Sequence, residues 1–276
     1  MINNYLTEIR KQNHPLKFIL AKILIRTNLC KFFQIEQNSY KLKFYPSALS
    51  RQLWINPNYS HTASRFFQDY LQKDDCVVDV GASIGTVSLT SSSIVGSRGK
   101  IYSIEPNPRI FKYLLGNIKL NDFSNIQTLN IALGNKLGTI CFSDQRSDDI
   151  NSVNDLDVGI KIPIKTLDSL DIQETTISLL KVDAIGYEKF VLLGGLKLLE
   201  KTKCVHIPIV EKHLKQYDYG FQEIIDILIN NDFKLFEFNK EKFVKINPQS
   251  YIPHDDDIIA VKDIDDFLKC TKYELS

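Results

Sequence analysis

The chain has 276 residues, 43% of them apolar and 24% charged, with 34 Lys+Arg against 33 Asp+Glu. A chain of this length and mixture buries a large core without disulfide or metal staples, and a net charge of +1 argues against a dedicated nucleic-acid binder, whose domain is clearly basic. The balance conceals a split: residues 1–60 carry nine basic and two acidic side chains, and the remainder 25 basic and 31 acidic ones, which marks the N-terminal segment as distinct in role.

Taken in chain order, the first feature is Leu16 to Ile25, LKFILAKILI, followed by Arg26. It is too short and too often interrupted by lysine to span a membrane or to act as a signal-peptide core. As a helix it has a broad apolar face edged with positive charge. It reads first as a helix docked on the body with its lysines in water. The second reading, for residues 14–31, is a basic amphipathic helix lying on an anionic membrane surface. Residues 1–60 are expected to form a helical extension with a short strand. Within it, Trp54 and Tyr59, with His61 just beyond, are packed aromatics or part of a substrate lid. Asn58-Tyr59-Ser60 matches a glycosylation sequon, but nothing else indicates secretion.

From residue 61 short apolar runs alternate with helical stretches, the pattern of an α/β domain with a mainly parallel sheet. Strands are expected at Cys76–Val80, Lys100–Ile104, Ile126–Ile131, Ile177–Val182, Cys204–Val210, Phe233–Phe238 and Ile258–Val261. Pro208 requires a strand end or an edge. Asn107 is suited to cap a helix with Pro108 in its first turn, and Ile110, Phe111, Leu114 and Ile118 form one buried face. Phe221, Ile224, Ile225 and Leu228 repeat the signature. Between Leu133 and Ser169 the turn residues Gly134-Asn135, Gly138, Asp148-Asp149 and Asn151 predict a hairpin and a mobile loop inserted in the wound sheet.

Five cysteines, none closer than 46 positions to another, argue against a disulfide framework or a zinc site. They favour a reduced, cytoplasmic setting. The Asp255-Asp256-Asp257 run and Asp263, Asp265 and Asp266 read as a solvated acidic face. No histidines are spaced as metal ligands, and no metal is expected.

The sharpest motif is Val77-Val78-Asp79-Val80-Gly81-Ala82-Ser83-Ile84-Gly85. A buried strand enters a small-residue turn, where glycine permits positive φ and close approach of a ligand, and a helix then offers its free N–H groups. The Gly-x-x-x-Gly spacing is neither a dinucleotide fingerprint nor a P-loop, which disfavours a nicotinamide-dependent oxidoreductase. Glu105 ends the next strand, where an acid can accept hydrogen bonds from both hydroxyls of a ribose. The three features together resemble the cofactor site of class I S-adenosylmethionine-dependent methyltransferases.

Within that class the sequence resembles the FkbM family, through Asp79-Val80-Gly81-Ala82-Ser83-Ile84-Gly85, Glu105-Pro106-Asn107-Pro108 and Lys181-Val182-Asp183-Ala184-Ile185-Gly186-Tyr187-Glu188. Asn117, Asn121, Ala132-Leu133 and Thr166-Leu167-Asp168 also fit, and the likeness runs from about Asp75 to Phe238. It implies a doubly wound, mostly parallel seven-stranded Rossmann-like sheet over residues 61–276 and S-adenosyl-L-methionine as cofactor. It further implies O-methylation of a hydroxyl on a glycan or secondary metabolite. Carried over by position, Asp79, Gly81, Ala82, Ser83, Gly85, Glu105, Pro106 and Asn107 would bind the cofactor, with Ala132 and Leu133 near its adenine. Asp183 would face the acceptor.

Two positions depart from the pattern. Ser83 stands for the usual Asn, a mild change because both can cap a helix. Ile185 stands for the usual Glu, which removes a carboxylate beside the reaction centre. Asp183, Glu188 and Glu211 remain as candidate bases, with His213 close by in sequence. The competing expectation is a catalytically impaired descendant that keeps the cofactor and serves as a binding subunit.

Overall fold

The computed structural model describes residues 14–59, 61–143, 152–154, 159–239, 242–253 and 257–275, with backbone alone at 61–64, 154 and 239. The expected loop residues Asp148, Asp149 and Asn151, the sequon's Ser60, and His254, Asp255 and Asp256 lie outside the described residues or, like the side chain of His61, are not described.

The extension begins with α1 (Pro15–Arg26), the antiparallel pair β1 (Gln34–Glu36) and β2 (Lys41–Lys43), and α2 (Ala48–Ile55). Ser47 caps α2 through a hydrogen bond accepted from the Ser50 amide. Helix α3 (His61–Tyr70) then leads into the wound sheet. Its elements are β3 (Cys76–Val80), α4 (Thr86–Val95), β4 (Lys100–Ile104), α5 (Pro108–Leu120) and β5 (Ile126–Leu129). A second, four-stranded sheet follows, made of β6 (Ala132–Leu133), β7 (Gly138–Phe142), β8 (Val153–Asn154) and β9 (Ile160–Lys165) in the order β6-β9-β7-β8. The hairpin expected between Leu133 and Ser169 is thus part of a small sheet.

The main sheet resumes with β10 (Ile177–Val182), α6 (Glu188–Leu193), α7 (Leu196–Glu200), β11 (Thr202–Pro208), α8 (Glu211–Leu214) and α9 (Phe221–Asn230). It closes with β12 (Lys234–Asn239), β13 (Lys242–Lys245), β14 (Asp257–Val261) and α10 (Ile264–Thr271). Its order is β13-β12-β14-β11-β10-β3-β4-β5. The five strands from β5 to β11 are mutually parallel, and β14 enters antiparallel to both neighbours. The seven expected strands are present, and an eighth, β13, adds an edge through the hairpin with β12. Every residue of β3 and β10 is buried, as in strands covered by helices on both faces.

After β3 the chain winds outward through β4 and β5, then returns to place β10 on the other side of β3. This reversal opens a crevice at the carboxyl ends of β3 and β10, where ligands of open α/β sheets bind.

The extension shares its core with the body. Phe18, Ala21 and Leu24 of α1, Leu42, Phe44 and Leu53 pack with Ile84, Leu89 and Ile110. Trp54 stacks on Phe44 at 5.2 Å, so it is a packing residue. Two asparagines of α5 make the junction specific. Buried Asn117 accepts from the Lys43 amide at 2.9 Å and donates to the Ile84 carbonyl at 2.8 Å. Asn121 pairs with both backbone groups of Lys41, at 2.7 and 2.8 Å. Both side chains therefore satisfy β2 as a neighbouring strand would. Asn117→Ala leaves a buried C=O and a half-buried N–H without these partners and is expected to destabilise the fold by about 2–4 kcal/mol, read as a lower midpoint in urea.

Cys30, Cys76, Cys204 and Cys270 are free thiols. Burial pushes the Cys76 thiol up to about 12, consistent with a small apolar filler.

Candidate active site

The turn after β3 has its shape because its first residue is glycine. Gly81 has φ +76°, and a Cβ there would stand 1.9 Å from the Asp183 carbonyl oxygen. The Gly81 and Ala82 amides both donate to the Ile104 carbonyl at 2.9 Å, and the Asp183 amide donates to Val80 at 3.0 Å. The ends of β3, β4 and β10 are thereby tied together at one point. Gly81→Ala therefore collides with backbone and is expected to yield little folded protein, measured as soluble yield and cooperative melting.

Glu105 closes the turn from the β4 side. One carboxylate oxygen accepts from the Ser83 amide at 2.9 Å and the other from the Asn107 amide at 2.8 Å. Burial raises its pKa to about 7, although these amides and the Lys181 charge pull the other way. Asn107 in turn caps α5, accepting from the Arg109 and Ile110 amides at 2.9 and 3.3 Å.

Asp79 is fully buried. It accepts a 2.6 Å hydrogen bond from the Ser88 hydroxyl, which itself accepts from Ser103 at 2.7 Å. Its second oxygen lies 3.6 Å from the Lys181 ammonium. Lys181 also reaches the Gly81 carbonyl at 3.2 Å and Asp183 at 3.3 Å. Burial works against the ammonium, but Asp183 and Asp79 outweigh it and hold its pKa above the usual lysine range. The reading of the sequence carried Lys181 within its motif but gave it no role, and the structure makes it the charge that joins Asp79, Gly81 and Asp183. The signal was a lysine in an otherwise apolar strand, where such a residue needs paired charges.

A cavity of about 520 Å³ opens above this cluster, within the range of small-molecule sites. Gly81, Ser83, Glu105, Pro106, Asn107, Ala132 and Leu133 line it, as do Asp183, Ile185, Glu188 and His213. Asp79, Ala82 and Gly85 are not on its wall. Asp79 and Gly85 support it from behind: Asp79 through Ser88 and Lys181, and Gly85 by its close approach to Leu114. Ala48, Leu49, Gln52 and Tyr59 add a wall from the extension.

The candidate bases differ in what they touch. The Asp183 side chain is half-exposed, 45%, and borders the cavity beside Lys181. Glu188 is buried, and one oxygen accepts from the Ala184 amide at 2.8 Å and the Gly186 amide at 3.1 Å. Burial, reinforced by Asp183, raises its pKa to about 7 against those amides. It fixes the loop after β10. Glu211 is not on the cavity wall: it begins α8, half-exposed, and pairs with Lys215 at 3.0 Å one helical turn on. The placement expected from its position near a strand end is not met: Pro208, Val210, His213 and Leu214 line the cavity, but the Glu211 side chain between them pairs with Lys215 instead.

Ile185 occupies the left-handed region, φ +50°, which a β-branched residue enters at a cost of roughly 1–2 kcal/mol. The amide bonds to Glu188 on either side hold it there, and Gly186, φ +93°, brings the backbone against the His213 carbonyl. Ile185→Asn, which tolerates this conformation, is expected to raise stability by about 1 kcal/mol, seen as a higher melting midpoint.

The acidic C-terminal segment is structural where it is described. Asp257 pairs with His206 at 3.2 Å, Asp263 caps α10 and Asp266 pairs with Lys203 at 3.1 Å. Asp168 caps α7 through the Lys197 and Leu198 amides. Among the described residues no helix is long and apolar enough to cross a membrane.

The family model for the methyltransferase FkbM domain matches residues 79–235. Among curated protein sequences none matches. Similar solved structures include a methyltransferase FkbM from Methylobacillus flagellatus KT, at 16% identity over 76% of this chain and 52% of that one, TM-score 0.46. A SAM-dependent O-methyltransferase from Thermotoga maritima shows 15% identity over 74% of this chain and 65% of that one, TM-score 0.41. A protein described as a methyltransferase, from Streptococcus mutans and in complex with SAH, shows 11% identity over 73% of this chain and 96% of that one, TM-score 0.45. The wound sheet is the Rossmann-like architecture of class I methyltransferases, and the family match spans the cavity's principal strands, β3 to β10. The chain belongs to the FkbM family of methyltransferases.

Proposed function

We propose that the protein binds S-adenosyl-L-methionine in the cavity above β3 and β10 and methylates a hydroxyl of a glycan or other small-molecule acceptor. The observation that carries this reading is the Glu105 carboxylate on the cavity wall, fixed by the Ser83 and Asn107 amides. Those amides occupy one lone-pair direction of each oxygen, so both oxygens keep capacity to accept hydrogen bonds from ribose hydroxyls. The fit extends to the Gly81 turn, whose missing Cβ lets it pack against the Asp183 backbone on the cavity wall, and to Ala132 and Leu133, which offer an apolar face for a base.

When bound, the cofactor supplies a methyl group on a sulfonium, open to direct displacement by an oxygen nucleophile. The chain's own residues position and deprotonate that nucleophile. Asp183 borders the cavity and is the carboxylate with room to accept a proton. Lys181 orients Asp183 through the 3.3 Å contact. Glu188 holds the loop, and Gln52 and Tyr59 contribute polar groups to the acceptor side. Positioning alone contributes much of the rate in such a displacement, so the loss of the family's Glu at Ile185 is compatible with turnover.

Calorimetry with S-adenosylmethionine and with S-adenosylhomocysteine tests this reading, and absence of binding by both to folded protein overturns it. Ile185 favours one second reading, a cofactor-binding protein without transfer activity, because it puts hydrocarbon on the cavity wall where the family carries a carboxylate. Cofactor binding without methyl transfer to a broad panel of hydroxylated acceptors would support that alternative.

A further inference from the structure

Helix α1 is apolar on two faces. Phe18, Ala21 and Leu24 are buried against the body, whereas Leu16, Leu20 and Ile23 are 83%, 46% and 51% exposed. The exposed three recur at four- and three-residue spacing and so form one stripe along the helix. Among the described residues none buries them. The segment that follows continues the theme, with Leu29, Phe32 and Phe33 exposed, Phe32 by 73%. Scattered exposed apolar residues are ordinary. Six large ones within eighteen residues are an apolar patch that marks an interaction surface.

The charge on this surface has one sign. Lys17, Lys22, Arg26 and Lys31 lie in the segment, and no Asp or Glu occurs between Glu8 and Glu36. At about 100° per residue, Lys17 falls on one flank of the stripe and Lys22 and Arg26 on the other. Lys22 lies over the Phe18 ring and Lys31 over the Phe32 ring, at 4.4 and 5.3 Å. An apolar stripe flanked by cations matches the layered chemistry of a lipid surface, acyl chains below and anionic headgroups at the rim. A second copy of the chain is a poor match. Pairing this face with itself opposes four cations to four cations with no carboxylate in the segment to compensate.

We propose that α1 and the turn after it, residues 15–33, dock the protein on the surface of an anionic bilayer. The helix is only twelve residues long and lies in the interface without spanning it. Leu16, Leu20, Ile23 and Phe32 enter the headgroup–acyl boundary, and the cations meet lipid phosphates and carboxylates. This proposal goes beyond the methyl-transfer reading and does not depend on it. Yet α1 packs on α2, whose Ala48, Leu49 and Gln52 line the cavity, so the docked helix adjoins an element of the cavity wall.

The test is co-sedimentation of the full chain with vesicles of phosphatidylcholine alone, and of phosphatidylcholine with about one third phosphatidylserine. Each cation near such a surface is worth roughly fivefold in partitioning. Binding to the anionic vesicles is therefore expected to exceed that to neutral ones by at least about a hundredfold and to weaken in high salt. Leu20→Ser/Ile23→Ser and, separately, Lys17→Glu/Arg26→Glu change exposed positions and should each lower it at least about tenfold. Unchanged circular dichroism and melting in these variants would show that the fold is kept. Sedimentation velocity of the free protein, which should be monomeric through this face, completes the experiment. Failure to bind anionic vesicles overturns the proposal, as does binding indifferent to both variants. A dimer dispersed by Leu20→Ser/Ile23→Ser, or saturable capture of an acidic protein on this face in place of lipid, also overturns it.

Discussion

Replacing Glu105 by alanine is expected to weaken S-adenosylmethionine binding by about a hundredfold or more, because two hydrogen bonds to a charged acceptor are worth roughly 1.5–3 kcal/mol each. The ligand-free fold should change little. The carboxylate is buried and its pKa stands at about 7 against an ordinary 4.5, so its charge is carried at a cost to folding. The Ser83 and Asn107 amides it leaves adjoin a cavity that water can enter. Calorimetry for affinity and thermal melting for stability together separate a ligand-binding role from a structural one. A large loss of stability with unchanged affinity would refute it.

The same group sets a pH dependence. Because its folded pKa is raised, its contribution to stability is complete below about pH 4.5 and is lost as pH rises through about 7. Glu188, also raised to about 7, acts in the same direction and window. The ligand-free protein should therefore lose stability from these groups between about pH 4.5 and 7. Cofactor binding runs the opposite way, since the ribose hydroxyls need the ionised acceptor. Affinity should fall about tenfold from pH 8 to pH 6. In Glu105→Gln it should be weak and flat across that range, while a slope that persists in the variant would assign the titration to another group.

Much of this site could be read from the amino-acid order, and for a local reason. The glycine turn ends β3 and Glu105 and Asn107 follow β4, the next strand in chain and its neighbour in the sheet, so their spacing carries their geometry. β3, β4 and β10 begin and end where their apolar runs do, since strands buried on both faces leave an unbroken pattern. The role of Asp79 was less legible. A strand-end acid looks the same whether it faces a ligand or turns inward to Ser88 and Lys181. That distinction depends on β10, a hundred residues on. The asparagines of α5 illustrate the same limit: Asn117 and Asn121 stood out by family likeness, but only the fold shows them completing the hydrogen bonds of β2. Glu211 misled because strand ends in this fold often bear catalytic groups, whereas here Pro208 ends the strand and α8 carries the acid toward Lys215.

The proton acceptor can be decided by a pair of variants. Asp183→Asn is expected to lower kcat by about 10²–10⁴, the range for a general base, with cofactor affinity nearly unchanged because Glu105 and the Gly81 turn are untouched. Asp183 also pairs with Lys181, so a fall in kcat alone would not separate a base from a residue that merely orients the lysine. The pH–rate profile does separate them. A base gives the wild type an acidic limb in kcat that disappears in the variant, whereas lost orientation lowers the whole curve and keeps its shape. Ile185→Glu then supplies a carboxylate at the position where the family has one, and it removes a β-branched residue from φ +50°. If Asp183 is the working base, adding that Glu to Asp183→Asn restores part of the lost rate and changes the wild type little. If instead Asp183→Asn is silent and Ile185→Glu alone raises transfer from background, the natural chain is a cofactor-binding protein whose chemistry was lost with that one carboxylate.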